Sequence, residues 1–277
     1  MITDKLQQFL INSRYNFFRE AAINVYGFYL NRRRFNKKFR EELRYLQEFE
    51  KYTETEIFHL QSNLLRTIVQ HAYNHVPFYR NKFDENGVKP EHIQSTDDLK
   101  QIPILRREEI QCNFKSLCAS SIEKCSYSIH HTSGTTGKKL TFAISNRLQW
   151  AVKFANLYHH YSWAGIQPGD RRLTLGGRRI STKPPFWVYN RWENQLLLSI
   201  HHMDTATMSG YVEKIQDFKP ILIQGHPSGL FELAKHMIMR KKFYKAKAIF
   251  TTGESLFPEQ RTALSKAFMC PVFDFYG

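Results

Sequence analysis

The sequence predicts an α/β fold built on a mainly parallel sheet, and three observations in its last third predict it. Short apolar runs, Ile221-Leu222-Ile223, Ala248-Ile249-Phe250 and Val272-Phe273-Asp274-Phe275, read as strands. Between them lie helical patterns, one starting at Pro227 with an apolar face of Leu230, Leu233, Ala234 and Met237, the other over Pro258–Phe268. A β-α-β-α-β order of this kind implies parallel strands joined by helical crossovers. Each run also ends in glycine or polar residues, where open α/β sheets bind their ligands.

From the start of the chain, residues 1–50 read as helix, with aromatic and aliphatic residues mixed among charges. Asn31–Arg40 holds six basic residues and no acid, with Phe35 and Phe39 one turn apart. Such a helix suits an anionic membrane or a phosphate backbone. The plainer reading is a solvated face whose phenylalanines pack inward. A helical pattern resumes over Glu54–Phe83 through Leu60, Leu64, Leu65 and Ile68, broken at Val76-Pro77 because proline disfavours helix in the residue before it. Asn86-Gly87 marks a turn, Ser95–Leu99 a capped short helix, and Arg106–Phe114 another helix. Tyr127–His131 and Leu140–Ile144 read as strands on either side of a polar loop. A helix is expected over Arg147–Trp163, a strand over Arg172–Leu175, a basic glycine turn at Gly176–Arg179, and a helix over Gly210–Phe218.

Hydrophobic content of 42% and aromatic content of 14% argue for a folded chain of one large or two ordinary domains. Cys112, Cys118, Cys125 and Cys270 form no C-x-x-C pair, so neither a disulfide framework nor a zinc site is suggested. A formal charge of +15 implies an anionic partner. No stretch is apolar enough to span a bilayer, and the N-terminus lacks the order of a signal peptide. A cytoplasmic protein is expected, with peripheral contact at the inner face of the membrane through Arg32, Arg33, Arg34, Lys37, Lys38 and Arg40.

The polar loop carries the sharpest chemistry. Thr132-Ser133-Gly134-Thr135-Thr136-Gly137-Lys138 packs hydroxyls, two glycines and a cation into one turn. Glycines let the backbone come close, successive N–H groups can form an anion nest, and Lys138 or Lys139 adds charge. It is not a Walker A loop, which needs glycine at Thr132 and a hydroxyl at Lys139. A polar hairpin turn is the bland alternative.

If the strands of the last third are parallel neighbours, Gln224–Ser228, Thr251–Ser255 and Asp274–Gly277 meet at one end of the sheet. Gly253 would admit a flat ring, Glu254 and Ser255 offer polar contacts, and Tyr276 a stacking face. The histidine pairs His130-His131, His159-His160 and His201-His202 make no chelating couple by themselves. No H-E-x-x-H or G-x-S-x-G element occurs, which disfavours zinc and serine hydrolases.

Taken together, these segments resemble the adenylate-forming (acyl-CoA synthetase) superfamily, in the branch of phenylacetate-CoA ligase and the CapK-like capsule proteins. Thr132–Lys138 resembles its signature loop. His75-Val76-Pro77-Phe78-Tyr79 is similar to the branch's "HVPFY" element, and Ile102-Pro103-Ile104-Leu105 to its lead-in. Gly225-His226-Pro227-Ser228 is similar to "GYPS", with histidine in place of the usual tyrosine. Thr252-Gly253-Glu254 matches "TGE", and Asp274–Gly277 begins "D-x-YG-x-TE".

The resemblance implies the N-terminal part of the family's large domain, with helices on both faces of the sheet. Residues 1–53 would be a helical basic segment and 54–277 an incomplete AMP-binding domain lacking its C-terminal part and mobile lid. It further implies ATP, Mg2+ and in some members coenzyme A as cofactors, with a carboxylate of unknown identity as substrate. The loop Thr132, Ser133, Gly134, Thr135, Thr136, Gly137 and Lys138 would hold phosphates. Gly253, Glu254, Ser255, Tyr276 and Gly277 would line the adenine, with Gly225 and His226 at the acyl or nucleotide side. The family's glutamate and lysine would lie beyond Gly277, so no catalytic residue and no metal ligand is assigned within the chain. A poorly active fragment is the expectation. The rival function is a non-catalytic basic protein acting on anionic membranes or nucleic acid, the latter not favoured.

Overall fold

The computed structural model describes residues 16–120, 127–132, 139–145, 149–177 and 180–275. The chain divides into two compact units, one of Met1–Leu43 with Phe154–Gly277, the other Arg44–Lys153.

The second unit is helical with one hairpin. Helix α1 (Asn16–Arg34) belongs to the first unit, α2 (Lys37–Phe49) begins there and ends in the second, and α3 (Glu54–His75) follows. Thr53 starts α3 through a capping box, its N–H donating to Glu56 Oε2 at 2.8 Å and its hydroxyl accepting from Glu56 N–H at 3.3 Å. Val76 is extended ahead of Pro77, which ends α3 and opens α4 (Pro77–Glu85). Val69, Phe83, Val88 and Ile93 form the core of this helical pair. The short helix expected at Ser95 is a 3-10 turn over Thr96–Gln101, and α5 (Arg107–Cys112) is shorter than expected. Strands β1 (Tyr127–His131) and β2 (Thr141–Ser145) pair antiparallel, bringing His130 opposite Phe142 and His131 opposite Thr141.

The first unit holds a six-stranded sheet. Its elements are α6 (Gln149–Ser162, which begins in the other unit), β3 (Arg172–Gly176), β4 (Trp187–Asn190), β5 (Gln195–Ser199) and α7 (Thr205–Phe218). Then follow β6 (Leu222–Gly225), α8 (Pro227–Met239), β7 (Ala248–Thr252), α9 (Pro258–Phe268) and β8 (Val272–Phe275). The strand order is β4-β5-β3-β6-β7-β8, with only β4 antiparallel. Strands β4 and β5 were not foreseen, although the run Gln195-Leu196-Leu197-Leu198-Ser199 carries an apolar signal. They form a hairpin closed by a 3-10 turn over Arg191–Glu193 and by Asn194 in the left-handed region.

From β5 onward each crossover advances in the same direction across the sheet. Right-handed connections then place α7, α8 and α9 on one face. Leu173, Leu196, Ile223 and Ile249 point to that face and share a core with Val212, Ile215, Leu230, Leu233, Leu264 and Phe268. The Tyr211 hydroxyl donates to Ser199 O at 2.8 Å inside this core, and burial pushes its phenol up to about 12. Helix α6 covers the opposite face, where Tyr161 donates to Gln224 Oε1 at 2.8 Å and meets the Phe250 ring edge-on at 4.7 Å. Helices on both faces are therefore present.

Helix α1 packs along β4: Asn24 donates to Tyr189 O at 3.2 Å and accepts from Arg191 N–H at 2.8 Å. Phe35 lies edge-on to Phe39, Phe154 and Tyr158, so the phenylalanines of the basic segment do pack inward. One member of the expected surface cluster is corrected. Arg34 is buried and pairs with Glu193, whose other oxygen takes Arg172 Nη2 at 2.7 Å. Arg34 faces the inside because Arg172 engages only one oxygen of the buried Glu193 carboxylate, and the Arg34 guanidinium satisfies the other. Arg32, Lys37, Lys38 and Arg40 remain exposed. Among the described residues no helix is long and apolar enough to cross a membrane.

Candidate functional site

All five parallel strands end on the same rim of the sheet, which gathers Gly176-Gly177, Ser199 to His202, Gly225-His226, Thr252-Gly253-Glu254 and Asp274-Phe275. The three strand-end segments singled out from the sequence are thus neighbours. Tyr276 and Gly277, and the basic pair Arg178-Arg179, lie outside the described residues.

Strands β6 and β7 build the centre of this carboxyl rim. Gly225 is buried, and a Cβ there would stand 2.5 Å from the Leu175 carbonyl oxygen and 3.2 Å from Leu230 Cγ. Packing alone therefore demands glycine. The next residue, His226, turns its ring over β7, and its Nδ1–H donates to Thr252 O at 3.0 Å. That bond leaves Nε2 as the acceptor nitrogen of the neutral ring. Gly253 sits under the ring with φ +84°, and a Cβ would stand 2.9 Å from His226 Cε1 and Nδ1. A side chain at 253 would meet both backbone strain and the imidazole.

Glu254 reaches back to the start of α8 and accepts from Ser228 N–H at 3.1 Å. Hydrogen bonding from Ser228, its side chain first, holds the Glu254 carboxyl below the usual range against a smaller effect of burial. A carboxylate at a helix N-terminus is favoured by the partial positive charge there. Ser255 is exposed beside it. Further along the rim, Thr251 donates to Asp274 Oδ1 at 2.7 Å, and the Phe275 ring meets His160 at 4.8 Å.

The segment after β5 carries the histidine pair His201-His202 noted in the sequence. His201 Nε2 donates to Gly177 O at 2.7 Å, and His202 Nε2 to Ser181 O at 3.0 Å while stacking on Phe186 at 3.9 Å. These histidines are hydrogen-bonded wall residues of the rim. Their place on the rim follows from the apolar strand β5 ending just before them.

The glycine-hydroxyl loop belongs to the other unit. Its residues Ser133–Lys138 lie outside the described residues, but its base is visible. Thr132 N–H donates to Leu140 O at 3.0 Å, and Leu140 N–H donates to Thr132 Oγ1 at 3.0 Å. Thr132 thus pins the two ends of the loop side by side as a continuation of the β1–β2 ladder. Gln111 adds a bond from its amide to Lys139 O at 3.3 Å. Among the described residues no three His, Cys, Asp or Glu side chains converge as a metal site. Cys112, Cys118 and Cys270 are free thiols.

A mainly parallel sheet with glycine-rich strand ends and crossover helices on one face defines an open α/β domain, a class that binds its ligands beyond the carboxyl ends of the strands. The comparisons narrow that class. The chain is 25% identical to Protein CapK of Staphylococcus aureus over 278 residues, covering 97% of this chain and 60% of that protein. It is 33% identical to the phenylacetate-coenzyme A ligase of Thermus thermophilus, covering 71% of this chain and 43% of that protein. The Escherichia coli enzyme of the same name is also 33% identical, covering 64% and 40%. Among solved structures, 2-hydroxyisobutyryl-CoA ligase in complex with 2-HIB-AMP and CoA superposes with TM-score 0.58 at 21% identity, covering 80% of this chain and 49% of that one. No family model matches. The chain belongs to the adenylate-forming ligase superfamily, in the branch of phenylacetate-CoA ligase and CapK. It spans 40–60% of the length of these relatives.

Proposed function

We propose that the chain supplies the nucleotide-binding part of an ATP-dependent acid-activating ligase. In this reaction a carboxylate oxygen attacks the α-phosphorus of ATP and pyrophosphate leaves, giving an acyl-adenylate. The acyl carbon then passes to the sulfur of coenzyme A, or to another acceptor, and AMP leaves. The observation that carries the reading is the His226–Gly253–Glu254 arrangement at the carboxyl rim, in a chain related to ligases of this kind.

In this proposal Gly253 is kept free of a side chain so that a flat base can approach the backbone, with Glu254 and Ser255 offering polar contacts and Tyr276 and Gly277 completing that side. Gly225 and His226 border the acyl or nucleotide side. Thr132 fixes the base of the loop whose residues Ser133, Gly134, Thr135, Thr136, Gly137 and Lys138 would hold the phosphates, donors aimed at a departing anion being the usual source of stabilisation in such steps. No residue is assigned to Mg2+. Phenylacetate is the first acid to test, from the names of the relatives, and a role in surface polysaccharide assembly rests on the likeness to CapK.

The test is calorimetric titration of the chain with ATP and AMP, paired with ATP–pyrophosphate exchange over a panel of carboxylates. Nucleotide binding that weakens at least tenfold in Gly253→Val and in Lys138→Ala supports the assignment. Binding indifferent to both substitutions, or no binding at all, overturns it.

A further inference from the structure

The crossover helices run antiparallel to the strands, so α7, α8 and α9 all end on the rim opposite the candidate site. Loops from four places in the sequence meet on this amino rim, around an open recess of about 860 Å³. The loop after α6 brings Arg171, and the one after α7 brings Lys219. The loop after α8 brings Arg240, Lys241, Lys242, Lys245 and Lys247 within eight residues. All seven are exposed, and among the described residues none is ion-paired. The nearby carboxylates are engaged: Asp170 accepts from Gln167 N–H at 2.9 Å, and Asp217 lies 3.9 Å from Lys214.

Large apolar side chains stand among these cations. Met239 is 70% exposed, Phe243 39% and Met269 50%. They belong to one neighbourhood, because the loop after α8 is bonded to the end of α9, Tyr244 N–H to Ala267 O at 3.0 Å and Ala246 N–H to Phe268 O at 3.1 Å. Cations beside helix C-termini are expected to offset the helix dipoles. One lysine per helix end serves that purpose, whereas five in one loop exceed it, and dipoles give no reason to expose a phenylalanine and two methionines.

We infer that the amino rim of the sheet, centred on residues 239–247, docks the protein on an anionic phospholipid surface. Basic residues attract the phosphate headgroups, and Phe243 with the methionines enters the interface between headgroups and chains. Nucleic acid would use the cations but gains nothing from exposed methionines, which decides for lipid. The surface differs from the Asn31–Arg40 segment, the end of α1 and the start of α2, whose phenylalanines are turned inward and whose Arg34 is buried.

The test is sedimentation of the full chain with phosphatidylcholine vesicles, with and without phosphatidylglycerol, across a salt series. Binding should require phosphatidylglycerol and weaken as salt rises. Because each basic residue near such a surface tightens binding about fivefold, Lys241→Glu with Lys242→Glu and Lys245→Glu should loosen it by on the order of a hundredfold or more. Phe243→Ala should loosen it several-fold while leaving the salt dependence unchanged. All four positions are exposed, and unchanged thermal unfolding confirms that the variants fold. Arg32→Glu with Lys37→Glu should leave binding near the parent value. No binding to anionic vesicles, loss through the 32/37 pair in place of the 241–245 set, or tighter binding to duplex DNA than to vesicles at equal salt each overturns the inference.

Discussion

At the amino rim β3 begins with Arg172 and β5 is preceded by Glu193, and the surrounding loops carry exposed cations. At the carboxyl rim the same strands end in Gly176 and Ser199, beside Gly225, His226 and Gly253. One rim relies on charge, paired wherever it is buried. The other relies on the absence of side chains, with imidazoles and, among the described residues, two carboxylates engaged locally, Glu254 by Ser228 and Asp274 by Thr251. The difference teaches how a parallel sheet separates tasks. Close approach to the backbone needs glycine and a low local charge, whereas attraction over distance needs cations that stay in water.

The largest test of this contrast is Glu193→Gln. It leaves Arg34 and Arg172 buried together without their carboxylate, and unfolding in urea should show a loss of roughly 3–5 kcal/mol. Next is Gly225→Ala, which drives a Cβ to within 2.5 Å of the Leu175 carbonyl. A loss of about 3 kcal/mol is expected at a site with no charge at all. Gly253→Ala should cost about 1–2 kcal/mol, from the positive φ and the His226 ring. Adding His226→Ala should restore the part due to the ring, read as coupling in a double-mutant cycle.

The smallest effect is titration of Glu254. Its folded carboxyl lies below the usual range, so its contribution is present at neutral pH and is lost as pH falls through that lowered value. Allowing for solvent screening, Glu254→Gln should remove about 0.3 kcal/mol of stability at pH 7 and nothing at pH 2. A pH-independent effect of Glu254→Gln would mean that shape rather than charge holds the start of α8.

Much of this was legible beforehand for a physical reason. The strands β6, β7 and β8 are apolar runs punctuated by proline and glycine, and their crossovers are local, so order alone implied a shared rim. The turn from α3 into α4 was legible at Val76-Pro77 through one steric rule. The β4–β5 hairpin was not, because Trp187–Asn190 alternates over only four residues and its partner follows a turn closed by Asn194, without a glycine. The Arg34–Glu193 pair joins residues 159 positions apart, and nothing local distinguishes Arg34 from Arg33. The amino-rim cations come from several loops, so only topology gathers them. At the candidate site, Gly253 and Glu254 were readable from their position after a strand, but the His226–Thr252 bond depends on how β6 and β7 lie together.

The Arg34–Glu193–Arg172 trio also sets an order of events in time. Glu193 and Arg172 are 21 positions apart and meet as soon as β3 and β5 pair, whereas Arg34 arrives only when a far longer loop has closed. If α1 swings away, the remaining pair stays neutral, and the sheet keeps its core. Amide hydrogens of α1 should therefore exchange with solvent through partial opening, well before those of β3, β6 and β7, making the first helix the last part to lock and the first to release.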